Sequence, residues 1–573
     1  MAYKSLQQCI ADLEKKGELL RITKEIDPNL EMASIHLDEF AKGGKAILFE
    51  KVKGSKYKAV SNLFGTLNRS HFIFRKNLQI IKDLIELKTN PFSAFKNPAR
   101  FLYAALNGIY ALPKKVRFRG FNEIHIEDLP QIKCWPKDGG SFITLPQVYT
   151  EDIDKPGIMN SNLGMYRVQL SGNDYVINDE VGMHYQIHRG IGVHQKKASQ
   201  KGEPFKVSVF VGGPPAHTFA AVMPLPEGMS EISFAGVLGK RRFRYAKKEG
   251  YTISTDADFV ICGELHSNDL KAEGPFGDHL GYYSLKHDFP VLKIHKVYAK
   301  ENAIWPFTVV GRPPQEDSQF GALIHEISGK AIEQEIPGLK AVNAVDEAGV
   351  HPLLLAVGSE RYTPYNPTNQ PQELLTIANH ILGTGQMSLA KYVFICDEEN
   401  APDVNNEKAY FTHFLERVNW KRDLHFQTKT TIDTLDYSGD GLNEGSKVVI
   451  AAAGKIKRKL SETLSEIELP LGFSNPKLVS NGNLVIEGKG EIKDLISSLE
   501  KQNLDGIALI TLVDDATFTS KNFSNWLWVT FTRSNPANDV YGINSEIKNK
   551  HFSCSIPIID ARIKPHHAPV LDR

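Results

Sequence analysis

The sequence predicts an α+β protein in three parts, because the pattern of apolar residues changes twice along its 573 residues. Residues 1–120 mix strand-like and helix-like patterns and predict an N-terminal α/β domain. Residues 121–325 are dense in short β-type runs separated by Gly and Pro, which favours an antiparallel sheet or a barrel-like domain. Residues 326–573 combine helical periodicity with buried-strand runs and predict a C-terminal α/β domain.

An amphipathic helix is predicted at the start of the N-terminal part. Leu6, Ile10 and Leu13 recur at helical spacing, Ser5 can cap the helix, and Gly17 can end it. The segment lacks a continuous apolar stretch and carries several charges, so we do not expect a signal peptide. The same part predicts two short strands and a helical segment, at 18–22, 45–52 and 76–111.

The C-terminal part contains two similar units, at about 390–455 and 506–566. Each unit has an apolar strand that ends in acidic residues, a helix-like stretch, an Arg-x-Asn-x-x-x-Asp motif, and an apolar run that ends near a lysine. Since these features recur in the same order, they favour an internal duplication. The two copies of the motif are Arg417, Asn419, Asp423 and Arg533, Asn535, Asp539.

Composition restricts the classes of partner. Lys and Arg total 68 and Asp and Glu total 67, so the net charge of +1 gives no global field for nucleic acid or for an anionic membrane. No apolar run is long enough to span a membrane, although a local patch could still contact one. The five cysteines are far apart and form no C-x-x-C motif, which fits a reducing, cytoplasmic location. The basic run 240–248 is interpreted as a solvated face, with contact to an acidic ligand or subunit as the alternative.

The strongest chemical motif is the segment from Glu273 to His279. It holds two carboxylates, Glu273 and Asp278, on a turn that Pro275 stiffens and whose glycines allow close backbone approach. Two carboxylates in one site move each other's pKa apart, which suits proton transfer near neutral pH. The alternative is a surface turn with two solvated acids.

Three further segments carry polar groups that could bind a ligand. Asn162 and Arg167 flank a glycine and could hold a ligand oxygen and an anion. His184 and His188 are four residues apart, but glycines follow them and no H-E-x-x-H motif is present, so a zinc hydrolase is disfavoured. His188 with a distant carboxylate and amide would suit Mn²⁺ or Mg²⁺ better. A Pro-rich turn precedes Glu231, while Glu227 within it is interpreted as a solvated residue.

Together these segments resemble the UbiD family of prenylated-FMN-dependent decarboxylases. The combination of E-G-P-F-G-D-H with N-L-G-x-Y-R, in this order and at this distance, is specific. The resemblance reaches to about residue 400 and includes the segments 17–22, 26–28, 46–50, 62–66, 134–136 and 311–314. It implies that the central domain is a split barrel, similar to flavin reductases, that holds prenylated FMN.

The resemblance also implies roles for individual residues. Asn162, His188 and Glu231 would hold Mn²⁺ (or Mg²⁺) beside the cofactor phosphate, and the turn before Glu231 would hold K⁺. Arg167, Glu273 and Asp278 would form the catalytic network, in which Arg167 holds Glu273 ionised and Asp278, with a raised pKa, delivers a proton. The implied cofactor contacts are Asn162, Leu163, Gly164, Arg167, Ile187, His188, Met223, Pro224, Glu231 and Lys564. Lys564, in a D-A-x-x-K run, matches the family's phosphate-binding lysine better than Lys455.

The function expected from the resemblance is a reversible, non-oxidative decarboxylation of an aromatic or α,β-unsaturated acid. A 4-hydroxy-3-polyprenylbenzoate-type quinone precursor is the leading substrate class. The alternatives are an FMN-dependent oxidoreductase, although no G-x-G-x-x-G follows a strand, and a catalytically silent binding subunit. A flavin prenyltransferase would supply the cofactor, the chain would form homo-oligomers, and peripheral membrane contact stays open.

Overall fold

The computed structural model describes residues 2–89, 92–185, 190–225, 229–361 and 370–572. The chain divides into two compact units, and their boundary falls within a helix at residues 328 and 329. The first unit contains residues 1–328 and the last four residues, and the second contains residues 329–569. The expected division of the first unit at residue 120 stays a prediction.

The first unit begins with helices and strands in alternation and continues mainly with strands. Its elements are α1 (Leu6–Lys16), β1 (Leu19–Ile26), α2 (Glu31–Ala41), β2 (Ala46–Val52), β3 (Lys58–Ser61), α3 (Leu67–Thr89), α4 (Ser93–Lys96), α5 (Pro98–Asn107), β4 (Lys114–Lys115), β5 (Phe121–Ile124), β6 (Phe142–Ile143), β7 (Gln147–Glu151), β8 (Ser161–Gly164), β9 (Val168–Gln169), β10 (Glu180–Met183), α6 (Gly190–Lys201), β11 (Phe205–Val211), α7 (Pro215–Val222), α8 (Glu231–Leu238), β12 (Arg244–Lys248), β13 (Tyr251–Ser254), β14 (Phe259–Glu273), β15 (Phe276–Gly277), β16 (Tyr283–Ser284), β17 (His287–Lys300), β18 (Ile304–Pro306) and α9 (Glu316–Glu335).

Helix α1 has the ends that its sequence predicts. The Ser5 side chain accepts a hydrogen bond from the backbone N–H of Gln8, and Gly17 ends the helix at a φ of 80°. Strands β1, β2 and β3 form a sheet whose order continues to β18, nearly 250 residues later in the chain. The side chain of Trp305 on β18 is fully buried. The N-terminal sheet is therefore completed by a strand from beyond residue 300.

A nine-stranded antiparallel sheet forms the centre of the first unit. The strand order is β6-β9-β10-β17-β14-β11-β7-β8, and β5 pairs with β17 beside this path. Its long strands β14 and β17 pair over most of their length. The order is that of an open sheet, so the antiparallel sheet is observed while the split barrel stays a proposal. Buried Val, Ile and Phe side chains on β11 and β14 supply much of its core.

The second unit contains two sheets with the same topology. Its elements after α9 are β19 (Leu339–Ala344), β20 (Leu353–Gly358), α10 (Glu373–Leu382), β21 (Tyr392–Asp397), α11 (Glu407–Arg417), β22 (Leu424–Thr430), β23 (Gly445–Ala452), β24 (Phe473–Ser480), β25 (Asn483–Gly488), α12 (Ile492–Leu499), β26 (Leu509–Val513), α13 (Ala516–Ser520), α14 (Phe523–Thr532), α15 (Pro536–Asp539), β27 (Val540–Ile543), β28 (Glu546–Lys548), β29 (His551–Ser553) and β30 (Ile556–Asp560).

The strand orders are β19-β20-β21-β23-β22 and β24-β25-β26-β30-β27. In both sheets the outer pairs are antiparallel and the two inner pairs are parallel. The repeated motif makes the same local turn in each sheet. The N–H of Asn419 donates to Asp423 at 2.7 Å, and that of Asn535 donates to Asp539 at 2.7 Å.

A buried cation connects these two sheets. Lys391, at the start of β21, is 1% exposed and pairs with Asp436 at 2.7 Å. Its Nζ also donates to the carbonyl oxygen of Ser534, which follows α14 on the side of the second sheet. The neighbouring Tyr392 hydroxyl lies 2.8 Å from the Ser534 Oγ. The two sheets therefore share one polar network in their common interior.

Candidate active site

Three polypeptide segments of the first unit bring the catalytic candidates together. Arg167 lies between β8 and β9, Glu273 is the last residue of β14, and Asp278 follows the short strand β15. More than 100 residues separate the arginine from the carboxylates. The pairing of β14 with β17, and of β17 with β10 and β10 with β9, brings these segments to one place.

Arg167 bridges the two carboxylates. Its Nε and Nη2 donate to the two oxygens of Glu273 at 2.8 Å and 2.9 Å, a bidentate arrangement. Its Nη1 donates to Asp278, and Nη2 also donates to the Ser284 hydroxyl at 3.0 Å. The side chains of Arg167, Glu273 and Asp278 are 9%, 0% and 10% exposed. The three predicted catalytic residues therefore form one buried ion cluster.

The loop that carries Asp278 is held by groups that we did not predict from the sequence. The N–H of Gly277 donates to Asp138 Oδ1 at 2.8 Å, and the other oxygen of Asp138 accepts the N–H of Trp135 at 2.9 Å. A Cβ atom on Gly277 would lie 2.0 Å from the Trp135 ring. The only sequence feature that could have indicated Asp138 is its place two residues after the segment 134–136, which belongs to the family resemblance.

The protonation of the carboxylates follows from these contacts. Burial would raise the pKa of Glu273, but the charge of Arg167 and its hydrogen bonds outweigh burial and hold that pKa far below the usual range. Burial likewise opposes ionisation of Asp278, whose pKa is nevertheless lowered by hydrogen bonding to His279 and by the charge of Arg167. Burial and Arg167 lower the pKa of His184, whose Nδ1 lies 3.2 Å from Glu273.

The sequence led us to expect a raised pKa for Asp278, and this expectation is wrong, because the pKa is lowered. The reason is that Asp278 shares the arginine with Glu273 and also accepts the backbone N–H of His279 at 2.7 Å. Glu273 has both oxygens bonded to Arg167, whereas Asp278 takes one hydrogen bond from the guanidinium.

The residues expected to bind the metal lie on β8 and on α8, which pack against each other. Glu231 begins α8, and its carboxylate accepts the backbone N–H of Leu163 on β8, next to Asn162. Asn162 packs against Gly190 at the start of α6, where a Cβ would lie 2.3 Å from its Oδ1. Burial raises the pKa of Glu231. Ser230 Oγ, just before it, is buried without a hydrogen-bond partner among the described residues.

An amide oxygen and a partly buried carboxylate, here on the packed elements β8 and α8, are ligand types that suit a hard divalent cation such as Mn²⁺ or Mg²⁺. The predicted third ligand, His188, lies outside the described residues, as do Ile187 and Glu227. Among the described residues, no group of three or more His, Cys, Asp or Glu side chains forms a metal cluster by itself. The metal site stays a prediction.

Three more residues were expected to contact the cofactor, and they lie at the end of β8 and directly after α7: Gly164, Met223 and Pro224. Gly164 ends β8, and a Cβ there would collide with the Tyr166 ring at 2.3 Å. Met223 is buried directly after α7, whereas Pro224 is exposed. The N–H of Met165 donates to the carbonyl of Ala221 at 2.9 Å, so α7 is fixed beside β8.

The two candidate lysines belong to the second unit and occupy equivalent positions in its two sheets. The Asp397 carboxylate accepts the N–H of Gly454, and Asp514 accepts that of Ile563, one residue before Lys455 and Lys564 respectively. Lys564 Nζ donates to the carbonyl of Asp560 at 2.7 Å and lies 3.2 Å from an Asp539 oxygen. The assignment of the phosphate-binding lysine stays a prediction.

Family models match most of the chain. They are described as the N-terminal, Rift-related and C-terminal domains of 3-octaprenyl-4-hydroxybenzoate carboxy-lyase, and they match residues 10–88, 112–313 and 318–452. The chain belongs to the UbiD family. A Chlamydia pneumoniae relative, named as a subunit of 4-hydroxybenzoate decarboxylase, is 36% identical over 582 residues, covering 98% of this chain and 94% of the relative. The UbiD-family chain is a carboxy-lyase.

Solved structures of UbiD-class enzymes share its fold. Vanillic acid decarboxylase of Sedimentibacter hydroxybenzoicus in a closed form has a TM-score of 0.67 at 22% identity, covering 82% of this chain and 96% of that one. An evolved dimeric form of the enzyme HmfF from Pelotomaculum thermopropionicum, in complex with prFMN, has a TM-score of 0.60 at 20% identity, covering 82% and 97%. In the described part of the chain, no helix is both long and apolar enough to cross a membrane.

Proposed function

We propose that this carboxy-lyase uses prenylated FMN to remove carbon dioxide, reversibly and without net oxidation, from an aromatic or α,β-unsaturated acid. The observation that carries the proposal is the buried cluster in which Arg167 bridges Glu273 and Asp278. A decarboxylase must return a proton to the carbon that loses the carboxyl group. A buried carboxyl group can act as the general acid that supplies this proton.

Each residue of the cluster has a distinct task in this proposal. Glu273 stays ionised because both its oxygens are bonded to Arg167, so it anchors the guanidinium. Asp278, which takes only one hydrogen bond from the guanidinium, takes up a proton and transfers it to the product carbon. His279 contacts Asp278 through both its backbone N–H and its ring Nδ1, and it is the more exposed side chain. Proton exchange with solvent would run through it.

Prenylated FMN, when bound, supplies the acceptor for the electrons left as carbon dioxide departs. Asn162 and Glu231, with His188, would hold the divalent cation that binds its phosphate. The partly buried carboxylate of Glu231, with its raised pKa, fits a position that a cation stabilises. We also propose a cytoplasmic homo-oligomer supplied with cofactor by a flavin prenyltransferase, and Lys564 as the phosphate-binding lysine.

A 4-hydroxybenzoate-type acid is the proposed substrate class, with a 3-polyprenyl substituent as the leading case. The relative named as a 4-hydroxybenzoate decarboxylase subunit and the family description both support an aromatic substrate. The test is carbon dioxide release by protein that is co-expressed with a flavin prenyltransferase. Hydroxybenzoates with and without a 3-prenyl chain would be compared with cinnamate-type acids.

The flavin released from the same preparation identifies the chemistry. Prenylated FMN in the mass spectrum, accompanied by stoichiometric manganese, is expected. Plain FMN with hydride-transfer activity would instead favour an oxidoreductase. Absence of bound flavin under every loading condition would favour a silent binding subunit, and either result would overturn the proposal.

The substitution Asp278→Asn tests the proton donor. We expect it to lower turnover by about 10²- to 10⁴-fold, because an amide cannot carry the proton, while the bound flavin is retained. Asp288→Asn, at an exposed position on β17, serves as the matched control and should leave turnover unchanged. Near-normal turnover by Asp278→Asn with bound prenylated FMN would remove the assignment.

A further inference from the structure

A continuous row of large apolar side chains is exposed on the segment that follows α3. The row runs from just before α4 through α5 to the residue after a 3₁₀ turn at Gly108–Ala111. These side chains are between 55% and 83% exposed, which is unusual for a run of this length. They are Phe92, Phe95, Leu102, Leu106, Ile109 and Leu112. We call this row the apolar ridge.

Helix α5 is apolar on two sides. Phe101, Ala104 and Asn107 are buried and face the interior, where the helix packs on α3. Leu102 and Leu106 of α5, four residues apart, are exposed on another side of the helix, and Ile109 in the following 3₁₀ turn extends this row. A helix that needed only to cover the core would carry polar residues on that outer stripe. The ridge therefore requires a partner surface.

The surroundings of the ridge are strongly basic. Residues 91–120 contain six Lys or Arg and no Asp or Glu. Of these, Arg100 is neutralised by Asp83 and by Glu86 of α3. Lys114 and Lys115 form β4, which pairs with β12 of the basic run 240–248.

That basic run is attached directly to the ridge. Arg242 donates to the carbonyl oxygens of Leu112 and Pro113, at 2.7 Å and 2.9 Å. Lys240 Nζ lies 3.3 Å from the Tyr103 hydroxyl. Cationic side chains thus border an exposed apolar helix, the arrangement by which proteins bind anionic bilayers with their apolar residues in the interface.

The segment also falls between two of the matched family domains. The match to the N-terminal domain ends at residue 88, and the match to the Rift-related domain begins at residue 112. The ridge is therefore not explained by the domains that the family shares. It rests on the helix that carries Glu231, since a Cβ on Gly236 of α8 would lie 2.0 Å from the Tyr110 carbonyl.

We propose that the apolar ridge and the exposed lysines of β4, Lys114 and Lys115, dock this enzyme on an anionic lipid bilayer. The apolar side chains enter the interface, and these lysines bind the lipid phosphates. The basic residues of β12 are already paired with Asp256, Glu151 and Glu249 and take no part in the proposal. The charge complementarity favours a membrane over a second copy of the chain, since the same basic surface would repel itself. This binding does not depend on the proposed reaction.

The test is co-sedimentation of the full-length protein with vesicles of phosphatidylcholine, alone or mixed equally with phosphatidylglycerol. We expect binding to the anionic vesicles that weakens as salt is raised. The variant Leu102→Ser/Leu106→Ser should lower the vesicle partition coefficient at least about tenfold. Lys114→Gln/Lys115→Gln should lower it at least about fivefold on anionic vesicles.

The matched control removes two exposed apolar side chains elsewhere. Leu471→Ser/Ile547→Ser changes residues that are 100% and 75% exposed, and it should leave vesicle binding unchanged. Binding to neither vesicle, or an equal loss in the control, would overturn the proposal. A change in the native mass of Leu102→Ser/Leu106→Ser without vesicle binding would show that a second copy covers the ridge.

Discussion

The guanidinium of Arg167 forms more hydrogen bonds with Glu273 than with Asp278. Glu273 takes two hydrogen bonds from the guanidinium, whereas Asp278 takes one and is also contacted by the backbone N–H and the ring of His279. The family resemblance predicted that these three residues act together. Residue spacing alone could not predict these contacts, because residues more than 100 positions apart in the sequence leave no local pattern.

Removing the guanidinium should make the stability of the protein depend strongly on pH. In Arg167→Met, two buried carboxylates lose their cation, which costs about 3–5 kcal/mol near neutral pH. The lowered pKa of Glu273 contributes stability that is present above its ordinary value of 4.5 and lost as pH falls. The loss in Tm should therefore be largest at neutral pH and narrow toward pH 4.5 and below. A pH-independent loss would contradict this account.

Some site residues could not be found from the sequence for a physical reason. Asp138 accepts backbone N–H groups of two loops, those of Cys134 and Trp135 and that of Gly277. Such a role has no residue pattern, because an aspartate in a turn is common. Burial raises the pKa of Asp138 to about 6, which no composition argument could indicate.

At the scale of elements, local signals predicted local structure well. Helix α1 has its predicted cap at Ser5 and its predicted end at Gly17 because both depend on neighbouring residues. The addition of β18 to the N-terminal sheet was not predicted, because strand pairing at long range carries no local signal. The strand order of the nine-stranded sheet could not be predicted for the same reason.

The loop after β14 depends on the absence of a side chain at Gly277. In Gly277→Ala the new methyl group would meet the Trp135 ring, which is fixed by a 2.7 Å hydrogen bond from its Nε1 to the Val310 carbonyl. We expect the loop with Asp278 to shift and kcat to fall at least about tenfold, with flavin still bound.

Gly321→Ala is the control for that substitution. Gly321 lies on α9 with open space around its Cα, so the added methyl group should preserve kcat and raise Tm slightly. Steady-state kinetics and thermal unfolding of both variants make the comparison. Unchanged kcat in Gly277→Ala would show that the position of the loop does not limit turnover.

At the scale of the whole molecule, the second unit repeats one topology. The sequence predicted an internal duplication from motif order, and the two sheets have the same strand order and directions. The matching turns at Asn419 and Asn535 fall where the sequence motif recurs. The common origin of the two sheets stays an inference from sequence.

The buried ion pair between Lys391 and Asp436 should stabilise the second unit only while both charges are present. Lys391→Met leaves a buried carboxylate without its cation and should lower the free energy of unfolding by about 3–5 kcal/mol, whereas Lys391→Met/Asp436→Leu should recover much of that loss. Denaturant unfolding measures both. Lys429→Met breaks the exposed pair with Asp440 and should cost under about 1 kcal/mol. No recovery in the double variant would show that the two charges do not depend on each other.

Lys391 and Tyr392 form hydrogen bonds with Ser534, and the rings of Tyr392 and Phe394 pack on Phe531. Each five-stranded sheet of the second unit therefore covers part of the interior of the other. Loss of either sheet in a single genetic deletion would expose those rings and the buried cation to water. A chain that kept only one of the two sheets would therefore need other residues to cover this interior.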